Sequence, residues 1–136
     1  VIPGAVFLTV DLRHPDDARL AEMDTALRDA AGAAADANGL DLALEQIWSF
    51  DATPFDAQCV AAVRGAAQAA GLAHMDIVSG AGHDAIYMAG VAPTAMIFVP
   101  CKDGISHNEI ESATPEDIAA GGQVLLQAML ERAGGS

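Results

Sequence analysis

Residues 94–99, Thr-Ala-Met-Ile-Phe-Val, form a nearly unbroken apolar run that opens directly into a polar, turn-rich loop. A strand with apolar side chains on both faces must be covered on both, which is the condition of a parallel sheet in an α/β fold. The loop, PCKDGISHNEIE at 100–111, carries Gly104, Ser106, His107, Asn108, Glu109 and Glu111. A strong helix start follows at Ala113-Thr114-Pro115-Glu116-Asp117, with Thr114 as cap, Pro115 at the first position and Asp117 in the reciprocal capping position. Loops leaving buried strands are where α/β enzymes place reactive groups. The plainer alternative, a polar connection whose histidine only caps or hydrogen-bonds, stands beside it. A second glycine-rich histidine loop, SGAGHDA at 79–85, adds weight to the functional alternative.

The rest of the chain predicts alternating elements. Val6, Leu8, Val10 and Leu12 alternate with Phe7, Thr9, Asp11 and Arg13, the period of a half-buried strand. Pro15 opens a helix with Asp16 and Asp17 in its first turn and a stripe of Leu20, Met23, Leu27, Ala31 and Ala34, ended by Asn38-Gly39. Residues 42–50 read as another strand. Ala52-Thr53-Pro54 is the most plausible boundary. Beyond it, Asp56 caps a helix carrying Val60, Val63 and Ala67 that stops at Gly71. A short strand at 74–78, the glycine loop, a short helix at 84–89 and the 94–99 strand come next. The last helix bears a stripe of Ile118, Leu125, Met129 and Leu130 and dissolves at Gly134-Gly135. Helices and strands in this order indicate an α/β layer arrangement, and there are no internal repeats.

Composition excludes several functions. With 19 acids against 6 bases the formal charge is −13, and the few arginines and lysines are scattered. Nucleic acids and anionic membranes need clustered positive charge, so neither is an expected partner. At 52% hydrophobic residues the chain is not disordered. Cys59 and Cys101 lie far apart without metal spacing, so no disulfide framework is expected. No apolar run approaches a membrane span, and no basic-then-apolar leader is seen, so a reducing cytoplasm is the expected location. The chain opens on Val1 without methionine and enters a strand within a few residues, as the middle of a longer protein would.

His107 is the best single candidate for chemistry, since a neutral imidazole is the commonest protein metal ligand. Ser106, Asn108 and Glu111 could orient it. One histidine is not a site, because zinc takes three or four ligands. His83 follows backbone groups of Gly80 and Gly82 that could approach an oxyanion or carboxylate, or it sits in a tight turn capped by Asp84. Arg13 could clamp a carboxylate in a bidentate fork, or pair with Asp11. Cys101 could act as a thiol nucleophile with His107 six residues on as its base. A non-catalytic acidic α/β module for dimerisation or ligand binding is the remaining alternative.

Three segments together, VIPGAVFLTVDLR at 1–13, SGAGHDA at 79–85 and the 100–111 run, resemble the C-terminal part of the metal-dependent amidohydrolases. That group includes N-carbamoyl-L-amino acid hydrolases, allantoate amidohydrolases and β-ureidopropionases, within the wider aminoacylase and dipeptidase clan. The GISHN-x-x-E pattern is specific for the carbamoylase branch, whereas D-x-R alone is weak. The resemblance implies that residues 1–53 are the later half of a small α+β lid or dimerisation domain. Residues 54–136 would then be the C-terminal part of a mixed-sheet α/β metallohydrolase domain. It further implies that His107 completes a site for two divalent metal ions (zinc, manganese, cobalt or nickel). Arg13 would bind the substrate carboxylate, reaching into the partner subunit of a homodimer, while Gly82 and His83 would line the substrate pocket. The family's other metal ligands, its bridging carboxylate and its catalytic glutamate lie in an N-terminal half not found here. The asparagine that partners Arg13 should fall just before Val1. No catalytic acid–base group is therefore expected within this chain, which reads as a fragment inactive by itself.

Overall fold

The computed structural model describes residues 2–134. The described chain divides between Ala52 and Thr53 into two compact units. Among the described residues the regular elements are four α-helices, α1 (Asp17–Asn38), α2 (Ala57–Ala69), α3 (Asp84–Ala89) and α4 (Pro115–Gly134), with one 3-10 turn at Lys102–Gly104.

The first unit contains α1. Asp16 is not in the first helical turn, as the sequence suggests, but is the N-cap. Its carboxylate accepts the Ala18 and Arg19 N–H groups at 2.9 and 3.2 Å. That satisfies two of the donors a helix start leaves open. His14 supports the cap by accepting the Asp16 N–H on Nδ1 at 3.0 Å. At the other end Gly39 takes φ +62°, the left-handed turn that only glycine adopts without strain, and Leu40 donates back to Ala35 O at 3.0 Å. The stripe of α1 is half-buried at Leu20, Leu27 and Ala31, and only Ala35 is buried outright. Asp17 also accepts the Ala52 N–H at 2.8 Å, tying the end of the unit to the helix start.

In the second unit α2 packs on α4. Asp56 caps α2 by accepting the Cys59 N–H at 2.8 Å, and Thr114 caps α4, with Asp117 bonded to its hydroxyl and not to its backbone N–H as a reciprocal capping pair would be. There Thr114 Oγ1 accepts the Asp117 N–H at 3.1 Å and donates to the Asp117 carboxylate at 2.7 Å. Arg132 in the last turn of α4 donates to Gln58 in the first turn of α2 at 3.1 Å, so the two helices run antiparallel. The core between them is Ala62, Ala66, Ala67, Val124 and Ala128, flanked by Val63, Leu72 and Ile97. This corrects the expected α4 stripe: Ile118, Leu125, Met129 and Leu130 are exposed, and Val124 and Ala128 face α2 instead. Two helices meeting through alanines can approach closely, and the longer side chains are left outside that seam. The expected end of α4 falls partly outside the described residues, at Gly135.

The expected sheet does not form among the described residues. The segments read as strands, 5–13, 42–50, 74–78 and 94–99, carry no ladder. A strand is completed only by a neighbour that takes its N–H and C=O groups, and a period-two pattern cannot supply one. The apolar side chains of these segments consequently stand open, with Phe7 87% and Trp48 74% exposed. Only Leu12, 94–97 and Val99 are half-buried, and Val99 lies against Gly121 of α4. The α/β expectation therefore holds in its helices and not in its sheet. No helix is long and apolar enough to cross a membrane among the described residues.

Candidate functional site

Both histidine loops belong to the second unit and hang on the same apolar segment. His83 packs edge-on against Phe98, with ring centroids 5.5 Å apart, and the second loop leaves that segment two residues later at Pro100.

In the first loop, Ser79 Oγ lies 2.7 Å from His83 Nε2 and accepts the Ala81 N–H at 3.2 Å. The hydroxyl thus fixes the imidazole from one side and Phe98 from another. His83 occupies the N-cap position of α3 without a side-chain cap bond, and Asp84 is the first helical residue rather than the cap. Gly80 and Gly82 are not among the glycines with positive φ, and a Cβ at either would meet nothing within 4 Å. The space over this loop is open. The serine is a residue the sequence reading passed over, although the S-x-x-x-H spacing was there to find it.

The second loop is closed on itself. Lys102 N–H donates to Ser112 O at 2.7 Å across its neck, and Gly104 and Ile105 fold back on Cys101 and Lys102 at 3.0 and 3.1 Å. Asn108 then builds a turn, its Oδ1 accepting the Ile110 N–H at 3.1 Å and its carbonyl the Glu111 N–H at 2.9 Å. That turn returns the Glu111 carboxylate to the His107 N–H, 2.7 Å away. The other carboxylate oxygen accepts from the Cys101 thiol, with Sγ at 3.6 Å. His107 itself has φ +57°, a left-handed conformation costing on the order of 1 kcal/mol for a residue with a Cβ. A short hydrogen bond to a carboxylate is strong enough to offset such a cost. The imidazole is exposed and has no hydrogen-bond partner among the described residues. Glu111 therefore acts on the histidine's backbone, not on its second ring nitrogen as the sequence suggested.

Two other candidates have partners close by in the sequence. The Cys101 thiol is pushed up from its ordinary value by desolvation first and then by the Glu111 charge and hydrogen bond. A shift in this direction disfavours the thiolate that a cysteine nucleophile needs. Arg13, in the first unit, forks onto Asp11 with contacts of 3.0, 3.1 and 2.5 Å, both side chains about 60% exposed. The hydrogen bond and charge of each hold Asp11 below and Arg13 above their ordinary values. Asp11 is the intrachain partner weighed from the sequence. No group of three or more His, Cys, Asp or Glu side chains gathers as a metal cage among the described residues.

Comparison with known proteins places the chain in a family. Residues 8–131 match peptidase family M20/M25/M40, and the chain belongs to that family. It is 47% identical over 133 residues to the N-carbamoyl-L-amino-acid amidohydrolase of Rhizobium meliloti, covering 98% of this chain and 32% of that protein. It is 33% identical over 125 residues to the allantoate amidohydrolase of Escherichia coli K12, covering 92% and 30%. Among solved structures, an amidase of the hydantoinase/carbamoylase family from Burkholderia multivorans superposes with a TM-score of 0.84 at 63% identity, over 88% of this chain and 29% of that one. The family resemblance carried by the three motif segments is thus borne out. The chain spans about a third of the length of the relatives it matches.

Proposed function

We propose that this chain is part of a metal-dependent amidohydrolase that cleaves the carbamoyl C–N bond of N-carbamoyl amino acids or of allantoate-like ureido acids. The observation that carries the reading is the GISHN loop. It presents the His107 imidazole with both ring nitrogens open, in a chain 47% identical to an N-carbamoyl-L-amino-acid amidohydrolase. An exposed, unengaged imidazole fits one position of a metal site. The described residues offer no complete donor set, so the remaining ligands are assigned to the rest of the protein. Two divalent ions, when bound, would acidify the attacking water.

The chain's own residues have narrower tasks. His107 is a ligand. His83, braced by Ser79 and Phe98, lines the pocket with Gly82, where open backbone leaves room for substrate. Arg13 is the carboxylate clamp of a homodimer, and a substrate carboxylate would compete with Asp11 for its fork. Residues 1–53 would form the later half of the lid domain and 54–136 the end of the catalytic domain. The segments without ladders would then pair with strands of the remaining protein in a mixed sheet.

The test is His107→Ala in the protein as its gene encodes it, with metal content measured by mass spectrometry and ureidase turnover on N-carbamoyl amino acids. Occupancy of at least one metal position should fall and most activity should disappear, with excess divalent metal restoring it only in part. Full metal content and unchanged turnover would reject the assignment.

A further inference from the structure

We propose that Glu111 is a positioning residue for His107, holding its backbone in the left-handed conformation that turns the imidazole outward. The proposal rests on the reading of His107 as a ligand, but it concerns a different residue and a different bond. Three observations carry it. The Glu111 carboxylate accepts the His107 N–H at 2.7 Å, four residues back along the chain. His107 takes φ +57°, one of two non-glycine residues among those described with a positive φ. The Asn108 turn, closed by Ile110 N–H to Oδ1 and Glu111 N–H to the backbone carbonyl, is what returns the carboxylate to that N–H.

The arrangement also shows what Glu111 is not doing. One of its oxygens holds the His107 N–H and the other takes the Cys101 thiol hydrogen bond, so both are engaged inside the loop. Glu111 is therefore aimed at the backbone of its own loop and not at the imidazole. What it supplies is an acceptor at a fixed point. Without that acceptor a residue with a Cβ relaxes towards negative φ, and the ring swings away with the backbone.

An acceptor and a charge can be separated by substitution. Glu111→Gln keeps the chain length and an oxygen acceptor but loses the charge. Glu111→Asp keeps the charge but is one methylene too short. Each variant, with Glu111→Ala and His107→Ala, is made in the full-length protein. Zinc affinity is measured by competition with a chelator, and the His107 amide proton is followed by NMR after 15N-histidine labelling. Melting temperature serves as the folding control. The expected result is that Glu111→Gln binds zinc within about threefold of the parent, while Glu111→Asp and Glu111→Ala weaken it by about 10- to 100-fold. The His107 amide proton should move upfield in the Asp and Ala variants and little in Gln. If Glu111→Ala does not fold, the Asp and Gln pair decides by itself. Retained affinity in Asp with loss in Gln would mean that charge, not position, matters, and overturns the proposal. An unmoved His107 amide in Glu111→Asp overturns it as well. Should His107→Ala leave zinc affinity intact, the ligand reading fails, and the amide shift still decides whether Glu111 sets the His107 backbone.

Discussion

Replacing Gly121 with alanine sets two calculable effects against each other. Gly121 lies inside α4, and a Cβ built there would fall 2.5 Å from Val99 Cγ1. Carbon atoms in contact sit about 3.5–4 Å apart, so one of the two must move by roughly 1 Å. Valine cannot easily give way, because its branched Cβ allows little rotation about χ1. Overpacking of this kind costs about 1–3 kcal/mol. The gain in helix propensity from glycine to alanine is about 1 kcal/mol in the opposite direction. Gly122, the next residue, separates the terms: it is also inside α4, but a Cβ there meets nothing within 4 Å. Gly122→Ala should therefore stabilise by about 1 kcal/mol, and Gly121→Ala should fall below it by the overpacking cost, about 1–3 kcal/mol. The assay is urea unfolding of the two variants and the parent, followed by far-ultraviolet circular dichroism. Because Val99 directly precedes the loop that carries His107, the displaced side chain should also shift the His107 amide resonance in Gly121→Ala and not in Gly122→Ala. Equal stabilisation by both substitutions would refute the argument, since it would mean that Val99 does not press on α4.

Arg13→Lys in the full-length protein should lower the specificity constant for carboxylate substrates by roughly 10- to 150-fold while leaving the melting temperature nearly unchanged, because lysine loses the planar fork and the pair with Asp11 is exposed. Normal kinetics with a lowered melting temperature would make Arg13 a structural partner of Asp11 instead. For Asp56, the Cys59 backbone N–H is the first cause holding its carboxyl below the ordinary value. A carboxyl depressed in the folded state stabilises fully above its unfolded value and loses that contribution as pH falls through the folded value, a window below about pH 4. The stability gap between the parent and Asp56→Ala, read by urea unfolding, should accordingly shrink on acidification, and a gap constant with pH would argue against the cap.

Much of the helical framework was legible because caps are local. Asn38-Gly39 and the Thr114-Pro115-Asp117 start satisfy backbone groups within one turn, and their residue types fix the conformation wherever the chain goes. The two histidine loops were legible for the same reason, as glycine and Asx-type turns between apolar segments. What each histidine does in its loop was not. His107 acquires a left-handed backbone only because Glu111 returns to it, and His83 is held by a serine four residues earlier and a phenylalanine from another segment. In α4 nearly every face carries an apolar residue, so periodicity allowed several stripes, and the choice of Val124 and Ala128 was made by the alanines of α2. The strands stayed outside the reach of pattern altogether. An apolar period of two states which side chains seek cover, but a ladder needs a second backbone at hydrogen-bonding distance, and that is a property of tertiary structure alone.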